Sequence, residues 1–285
     1  MPLSAPVDGF SVAYDRVGSG PPVVLLHGWP GDRTDYRAVV PLLSDRADVV
    51  VPDFRGFGES DKHDQPPLEA YTRDHQARSV LALIEELGLD RPVIAGYDIG
   101  SRVAQVIAGS QPDAIRSLVL VPPLPGAGER VFSAEILPEF WYQFFHNLEL
   151  PEKLIDGQPE QVRAYLSHFW AHWSGPGFEL PAADLDHLVD VYSPPGAFTA
   201  SIGWYRARAG TLSRARAEKP PAPEDRIAIR TTVLWPEHDP LFPQAWADKL
   251  PEYFSDVDVR LLDGVGHFVP LEAPQAFADT ILEQL

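Results

Sequence analysis

The chain contains no cysteine, which excludes disulfides, thiolate catalysis and sulfur-ligated metals and leaves the redox compartment open. Positive charge is scarce as well: 23 Lys and Arg stand against 41 Asp and Glu, a formal net charge of −18. A field of that sign repels phosphate backbones and anionic lipid head groups, so neither nucleic acid nor a membrane surface is an expected partner. No apolar run approaches membrane-spanning length, and Met1-Pro2-Leu3-Ser4-Ala5-Pro6-Val7-Asp8 lacks the basic start and apolar stretch of a signal peptide. The expectation is a soluble, cytoplasmic protein, monomer or homodimer.

What is present reads as a globular enzyme. A chain of 285 residues can bury about three quarters of its unfolded surface in one large α/β domain, or in one domain carrying an insertion. Short β-rich runs recur at Phe10 to Tyr14, Val23 to Leu26, Asp48 to Pro52, Val93 to Ala95, Ser117 to Val121, Thr231 to Trp235 and Val257 to Leu262. Helical text lies between most of them: Tyr71 to Leu87 places Val80, Leu81, Leu83, Ile84 and Leu87 at helical spacing before Gly88, and Pro274 to Leu285 closes the chain in the same way. Alternation of this kind predicts an α/β fold, a mostly parallel sheet with helices on both faces. The 30 prolines fall largely at junctions such as Pro21-Pro22 and Pro122-Pro123, punctuating rather than breaking elements.

The alternation stops between Gly126 and Lys219, where aromatic, helical text takes over: Phe140-Trp141-Tyr142, Tyr165, Phe169-Trp170, Trp173 and Trp204-Tyr205. The expected organisation is a core of residues 1–125 and 218–285 and an inserted helical cap of residues 126–217. Glu218-Lys219-Pro220-Pro221-Ala222-Pro223 forms the return hinge. Arg206, Arg208, Arg214 and Arg216 read as a solvated helix face that pairs with the acidic excess.

The chemistry centres on Gly96-Tyr97-Asp98-Ile99-Gly100. The apolar run Pro92 to Ala95 precedes it, and Val103, Val106 and Ile107 follow at helical spacing. A sharp strand-to-helix turn of this kind holds its central residue under strain and presents that residue's tip to solvent. Serine hydrolases built this way put serine there. A carboxylate at that point attacks a polarised saturated carbon, such as that of an epoxide or a haloalkane, and the resulting ester is then hydrolysed by water. That second step needs a base, and a histidine base needs an acid to fix its tautomer. His267 in Gly264-Val265-Gly266-His267-Phe268 follows the last strand. Asp239 in Trp235-Pro236-Glu237-His238-Asp239-Pro240 follows the strand before it, with Glu237 the substitute acid. In His27-Gly28-Trp29-Pro30 the glycine lets the backbone come close, so that the Trp29 amide and the Ile99 amide form an oxyanion hole for the Asp98 carbonyl oxygen, with His27 supporting the loop. His168 and His172, four apart on a helix without a third ligand, read as cap lining rather than zinc ligands. Neither a metal nor a cofactor is expected.

Together with DFRGFGES at 53–60, these motifs resemble the α/β-hydrolase superfamily over essentially the whole chain, and within it the epoxide hydrolases. Trp141-Tyr142-Gln143 is similar to that family's first tyrosine motif, and Gly203-Trp204-Tyr205-Arg206 to its second. The resemblance implies Tyr142 and Tyr205 as the acid pair, phenols that hydrogen-bond the epoxide oxygen and release a proton as alkoxide develops. It implies a small-molecule epoxide as substrate and a vicinal diol as product, in a mostly apolar pocket lined by Trp29, Ile99, Trp141 and Phe268, with Gln143 also assigned to substrate binding. Two departures stand out. Tyr97 and Ile99 flank the aspartate where the family has His and an aromatic, and Gly203 replaces an asparagine often found before Trp-Tyr. A dehalogenase is the rival reading. Arg102 is similar to one of the arginines that grip carboxylate in fluoroacetate dehalogenases, but Ile99 occupies the place of the other, so Arg102 is expected to be a partly buried salt-bridge partner. An inactive ligand-binding protein is the third reading, because fold alone does not fix function.

Overall fold

The structure, a computed structural model, describes residues 2–285. Seven strands, β1 (Tyr14–Gly18), β2 (Pro22–Leu26), β3 (Asp48–Pro52), β4 (Val93–Gly96), β5 (Ser117–Leu120), β6 (Thr231–Pro236) and β7 (Val257–Leu262), form one sheet in the order β1-β3-β2-β4-β5-β6-β7. Only β1 against β3 is antiparallel. The largely apolar text of β4, β5 and β6 has its physical reason in their position: every residue of these strands is buried, covered by helices on both faces. At the edge, β7 has no fully buried residue and exposes Asp258 and Leu261. The expected α/β class with a mostly parallel sheet is what forms.

The first strand differs from expectation. It begins at Tyr14, opposite Pro52, rather than at Phe10. Asp8 and Gly9 both take positive φ, 52° and 83°, and turn the chain so tightly that Phe10 pairs back onto Val7. Phe10 then packs with Ala70, Tyr71 and Ala207 in a small separate cluster. The predicted helix near residues 71–87 runs Arg73–Glu86, with the Thr72 hydroxyl accepting from the His75 amide as an N-cap. Its buried Val80, Leu83 and Ile84 face the core.

Between β5 and β6 the described chain is helical, including Trp141–His146, Pro159–Trp173, Ala182–Tyr192, Ala197–Ser201, Gly203–Arg206 and Thr211–Ala215. The two ends of this insertion are tied by one side chain: the Glu218 carboxylate accepts from the Gly126 amide and, at 3.0 Å, from the Gly128 amide. The insertion also grips the loop after β2. Trp170 Nε1 donates to the Pro30 carbonyl at 3.3 Å, Tyr192 Oη to the Gly31 carbonyl at 2.8 Å, and His187 Nε2 meets Asp32 Oδ2 at 2.7 Å.

The His187–Asp32 contact has a defined pH window. Burial by itself would raise the Asp32 carboxyl, but the His187 and Thr34 hydrogen bonds outweigh it and hold the group at about 2. The Asp32 hydrogen bond raises His187 above its usual 6.5. Each shift stabilises the fold only where its group is charged. The Asp32 contribution is present above the ordinary 3.8 and lost as pH falls toward about 2. The His187 contribution is complete below 6.5 and lost as pH rises through its raised value. His187→Ala is therefore expected to lower the thermal midpoint more at about pH 5.5 than at about pH 9. Scanning calorimetry of both proteins at both pH values checks this, and a loss independent of pH would refute it.

Candidate active site

The strand order changes direction at β2 and β4, the position where open α/β sheets form a crevice at the carboxyl ends of their strands. Leu26 pairs with Gly96 at the end of that ladder, so the segments that follow, His27 to Pro30 and Tyr97 to Gly100, emerge side by side. Asp98 sits on the turn with φ 48° and ψ −120°, a strained conformation for a residue with a side chain, and the helix Ile99–Ser110 starts immediately after it. The glycines are required by contact. A Cβ on Gly100 would lie 1.9 Å from the Leu26 carbonyl oxygen, and one on Gly28 would lie 2.6 Å from the Asp98 Cβ.

Four loops bring the expected triad together. Asp98 Oδ1 accepts from the Trp29 amide at 2.9 Å, while Oδ2 lies 3.6 Å from His267 Nε2. His267 Nδ1 meets Asp239 Oδ2 at 2.9 Å, and all three side chains are buried. The other Asp239 oxygen accepts from the Leu241 amide at 2.8 Å, so this aspartate shapes its own turn and orients the histidine at once. Glu237, the substitute acid, instead accepts from the Gly264 amide at 2.8 Å. His267 is held from behind. Its amide donates to the Trp173 carbonyl at 2.8 Å, and the Glu272 carboxylate accepts from the Gly175, Gly266 and Phe268 amides.

Burial alone would lower the pKa of His267, but the Asp239 and Asp98 carboxylates outweigh it and push it up to about 10. The imidazole is therefore a cation at neutral pH, between two anions. Its Nε2 is buried without a hydrogen-bond partner. His27 behaves oppositely: burial lowers it. Its Nε2 accepts from the Phe54 amide at 3.0 Å, which leaves Nδ1 as the donor to the Gly28 carbonyl at 2.9 Å and braces the loop carrying Trp29. Ile99, first residue of its helix, has an amide without an intrahelical acceptor.

Asp98, Ile99, Arg102, Tyr142, Gln143 and Tyr205 line one cavity, together with residues of the Trp204–Thr211 segment, Pro123 and Phe242. Its free volume is about 10 Å³, room for about one water. The Tyr142 and Tyr205 rings stand perpendicular, centroids 5.5 Å apart. Burial raises both phenols well above the usual 10, so both are neutral donors. Tyr142 Oη accepts from Gln143 Nε2 at 3.1 Å and keeps its own proton to give, and Gln143 Oε1 in turn accepts from the Leu212 amide at 3.1 Å.

Other expected residues lie elsewhere. Trp141 is 41% exposed and lines an outer groove of the insertion with Phe145, Leu154 and Tyr165, because the helix that turns Tyr142 inward turns its neighbour outward. Phe268 is buried against Trp170, with ring centroids 3.8 Å apart, and does not reach the cavity. Trp29 contributes its amide, while its ring stacks beside Tyr142. The cavity is thus more polar than expected. His168 and His172 are exposed on the outside of the insertion, where His168 lines the same outer groove as Trp141 and His172 meets Glu139 at 2.6 Å. Among the described residues, no group of three or more His, Asp or Glu is placed to hold a metal ion. The arginine segment divides: Arg206 pairs with Glu152 and Arg216 lies over the Phe132 ring, while Arg208 and Arg214 are exposed and have no such partner among the described residues. Arg102 is not a salt-bridge partner either, because no described carboxylate comes within 4.0 Å of it.

Sequence reasoning missed two supports. Tyr97 Oη donates to the Asp35 carboxylate beneath the nucleophile, and burial raises Asp35 well above the usual carboxylate range. His146 packs on Tyr205 with centroids 4.7 Å apart and on Tyr142 at 5.6 Å, and burial keeps it neutral. Tyr97 was visible as a departure from the family pattern. His146, four residues after Tyr142, carried no signal beyond helical spacing.

The alpha/beta hydrolase fold pattern matches residues 21–274. A soluble epoxide hydrolase of Corynebacterium sp. (strain C12) is 30% identical over 98% of this chain and 95% of its own. Haloalkane dehalogenase 2 of Mycobacterium tuberculosis is 26% identical over 96% of this chain and 91% of its own. The solved structure of the epoxide hydrolase CorEH superposes with a TM-score of 0.84 at 29% identity, covering 98% and 96% of the two chains.

Within the site, the contact that most constrains backbone is the one at Gly100. Gly100→Ala is expected to cost several kcal/mol or abolish folding, since its Cβ would meet backbone at 1.9 Å. Gly109→Ala, exposed on the same helix with nothing within 4 Å, should gain about 0.5–1 kcal/mol. Denaturant melts of the two variants test this, and similar midpoints would show that the close approach is not rigid.

Proposed function

The chain belongs to the alpha/beta hydrolase fold family, and from that premise we propose that it is an epoxide hydrolase, which converts an epoxide to a vicinal diol through a covalent ester on Asp98. It is a hydrolase of the clade that includes epoxide hydrolases and haloalkane dehalogenases. The observation that carries the finer reading is the pair of neutral phenols, Tyr142 and Tyr205, in the same cavity as the Asp98 carboxylate. In this reading residues 126–217 form the cap that supplies the phenols, and residues 1–125 and 218–285 form the core that supplies the triad.

The two Asp98 oxygens divide the work. Oδ1 is held by the Trp29 amide, so Oδ2 attacks the ring carbon. The carbon–oxygen bond of the epoxide breaks, and the departing oxygen takes a proton from a phenol. Asp98 is then a neutral ester, and one of the two charges that hold up His267 is gone. The imidazolium yields its proton through the cavity to the phenolate. As a neutral base oriented by Asp239, His267 next takes a proton from water, and the hydroxide adds to the ester carbonyl. Charge then gathers on Oδ1, where the Trp29 amide already donates and the free Ile99 amide supports it. Collapse releases the diol and restores the carboxylate and imidazolium. In this mechanism water's oxygen ends in Asp98, and the enzyme's own oxygen leaves in the product.

Three outcomes are expected. His267→Gln should stop after the first step and accumulate an alkyl-enzyme, seen by intact mass as one added substrate mass on the peptide of Asp98. A variant that turns over without an adduct would favour direct attack by water. Tyr205→Phe should slow ring opening by about 10²-fold, measured in single turnovers, and an unchanged rate would remove that phenol from the reaction. Hydrolysis of the ester should rise with pH around an apparent pKa well below the free protein's value of about 10, because alkylation removes the Asp98 charge. Chloride released from chloroacetate with no diol formed from any epoxide would move the protein to the dehalogenase branch.

A further inference from the structure

Glu272 takes no part in the mechanism above, yet its carboxylate gathers three backbone amides beside the base. Oε2 accepts from Gly266 at 2.7 Å and from Gly175 at 2.8 Å, and Oε1 accepts from Phe268 at 3.0 Å. No lysine, arginine or histidine stands within 4.0 Å of it among the described residues. Several N–H groups converging from different sides require a group with two accepting oxygens and no proton of its own. A carboxylate meets that requirement, and a side-chain amide offers only one such oxygen.

The donors come from two parts of the molecule. Gly266 and Phe268 flank His267 in the loop after β7, whereas Gly175 follows the Pro159–Trp173 helix of the insertion. A single oxygen, Oε2, therefore joins the two segments. Around it their backbones touch: a Cβ on Gly266 would lie 2.2 Å from the Gly175 amide nitrogen, and one on Gly175 would lie 2.7 Å from the Gly266 amide nitrogen. Between the two anchored amides, that of His267 donates to the Trp173 carbonyl at 2.8 Å. The Trp173 ring also lies against the imidazole, with centroids 5.1 Å apart.

The His267 side chain has less to hold it. Nδ1 meets Asp239, while Nε2 has no hydrogen-bond partner and stands 3.6 Å from Asp98 Oδ2. One contact at one nitrogen does not fix the direction of the other, so that direction is set by the backbone behind the ring. Asp98 does not depend on this joint, because its own turn and the Trp29 amide hold it.

We propose that Glu272 is a positioning residue for His267: it locks the loop of the base to the end of the insertion's helix, so that loosening it slows hydrolysis of the Asp98 ester and spares formation of that ester. Glu272 touches no substrate and moves no proton. The inference rests on the proposed ester at Asp98, which epoxide and haloalkane substrates would share, and not on the two phenols.

The test follows both steps in single turnovers of styrene oxide, reading alkyl-enzyme by intact mass and diol by its appearance. Glu272→Gln should slow ester hydrolysis by about 10- to 100-fold, since misplacing a reacting group by about 1 Å costs on that order. Ester formation should change by less than about 2-fold, so the adduct accumulates. Glu272→Asp, which keeps the charge on a shorter arm, should fall between. In the His267→Gln background, Glu272→Gln should leave the residual decay of the adduct unchanged, because it acts through the imidazole. Slowing of both steps together, or a further loss on top of His267→Gln, would show a general loosening of structure and overturn the inference. If Glu272→Gln does not fold, Gly175→Ala decides by the same partition, since its Cβ would meet the Gly264 carbonyl oxygen at 2.7 Å and push the two segments apart. If styrene oxide is not opened, chloroacetate serves instead, with chloride release marking ester formation and glycolate its hydrolysis. Turnover without an adduct in His267→Gln removes the Asp98 ester and this inference with it. An adduct there, with Glu272 variants that partition like the wild type, removes this inference alone.

Discussion

The site depends on one strained backbone position. Asp98 keeps φ 48° because the chain on both sides leaves it no alternative: Gly100 lies against the Leu26 carbonyl and Gly28 against the Asp98 side chain, at separations no Cβ could share. Strain of this kind costs about 1–3 kcal/mol and persists only where surroundings over-determine it. Here the surroundings are the ladder between two fully apolar strands, ending at Leu26 and Gly96. The same close approach brings the Trp29 amide to one oxygen of the carboxylate and leaves the other facing His267. Asp98, the Trp29 amide and His267 are thus brought together by one packing event.

In the proposed reaction, electrostatics sets the order of the chemistry. Two buried carboxylates share one imidazolium, a charge balance that burial would otherwise oppose. While Asp98 is an anion the histidine holds its proton, and once the anion is spent in a bond the histidine's hold weakens. In the proposed reaction the charge of Asp98 thus keeps His267 from acting as a base until there is an ester to hydrolyse. Asp239 has both oxygens engaged, one accepting from the Leu241 amide and the other meeting His267.

The helical insertion does more than cover the site. Its side chains grip Pro30, Gly31 and Asp32, the loop that carries the Trp29 amide, and the Trp173 carbonyl accepts from the His267 amide. Any opening of the insertion would move the Trp29 amide and His267 as well as Tyr142 and Tyr205. The cavity that the two phenols line, at about 10 Å³, has room for about one water.

Periodicity and motif order determined much of this protein. The largely apolar runs in β4, β5 and β6 require burial on both faces, and that requirement makes a parallel sheet with crossover helices. Asp98, Asp239 and His267 were legible because each follows a strand directly, and the carboxyl edge of such a sheet collects whatever follows its strands. The start of β1 was not legible, since the Asp8-Gly9 reversal takes Phe10 out of the strand although its residue type suits one. Nor was the direction of side chains within the insertion. Trp141 and Tyr142 are adjacent, yet helical rotation sends one outward and the other to the nucleophile, and only packing chooses which. Arg102 shows the limit most clearly. Its residue type fits an ion pair and its spacing puts it near Asp98, but whether an acid meets it depends on Glu218, 116 positions away along the chain, turning to two backbone amides instead. Tertiary structure alone decides that, because long-range contacts are set by the whole fold's packing and leave no periodic trace in the sequence.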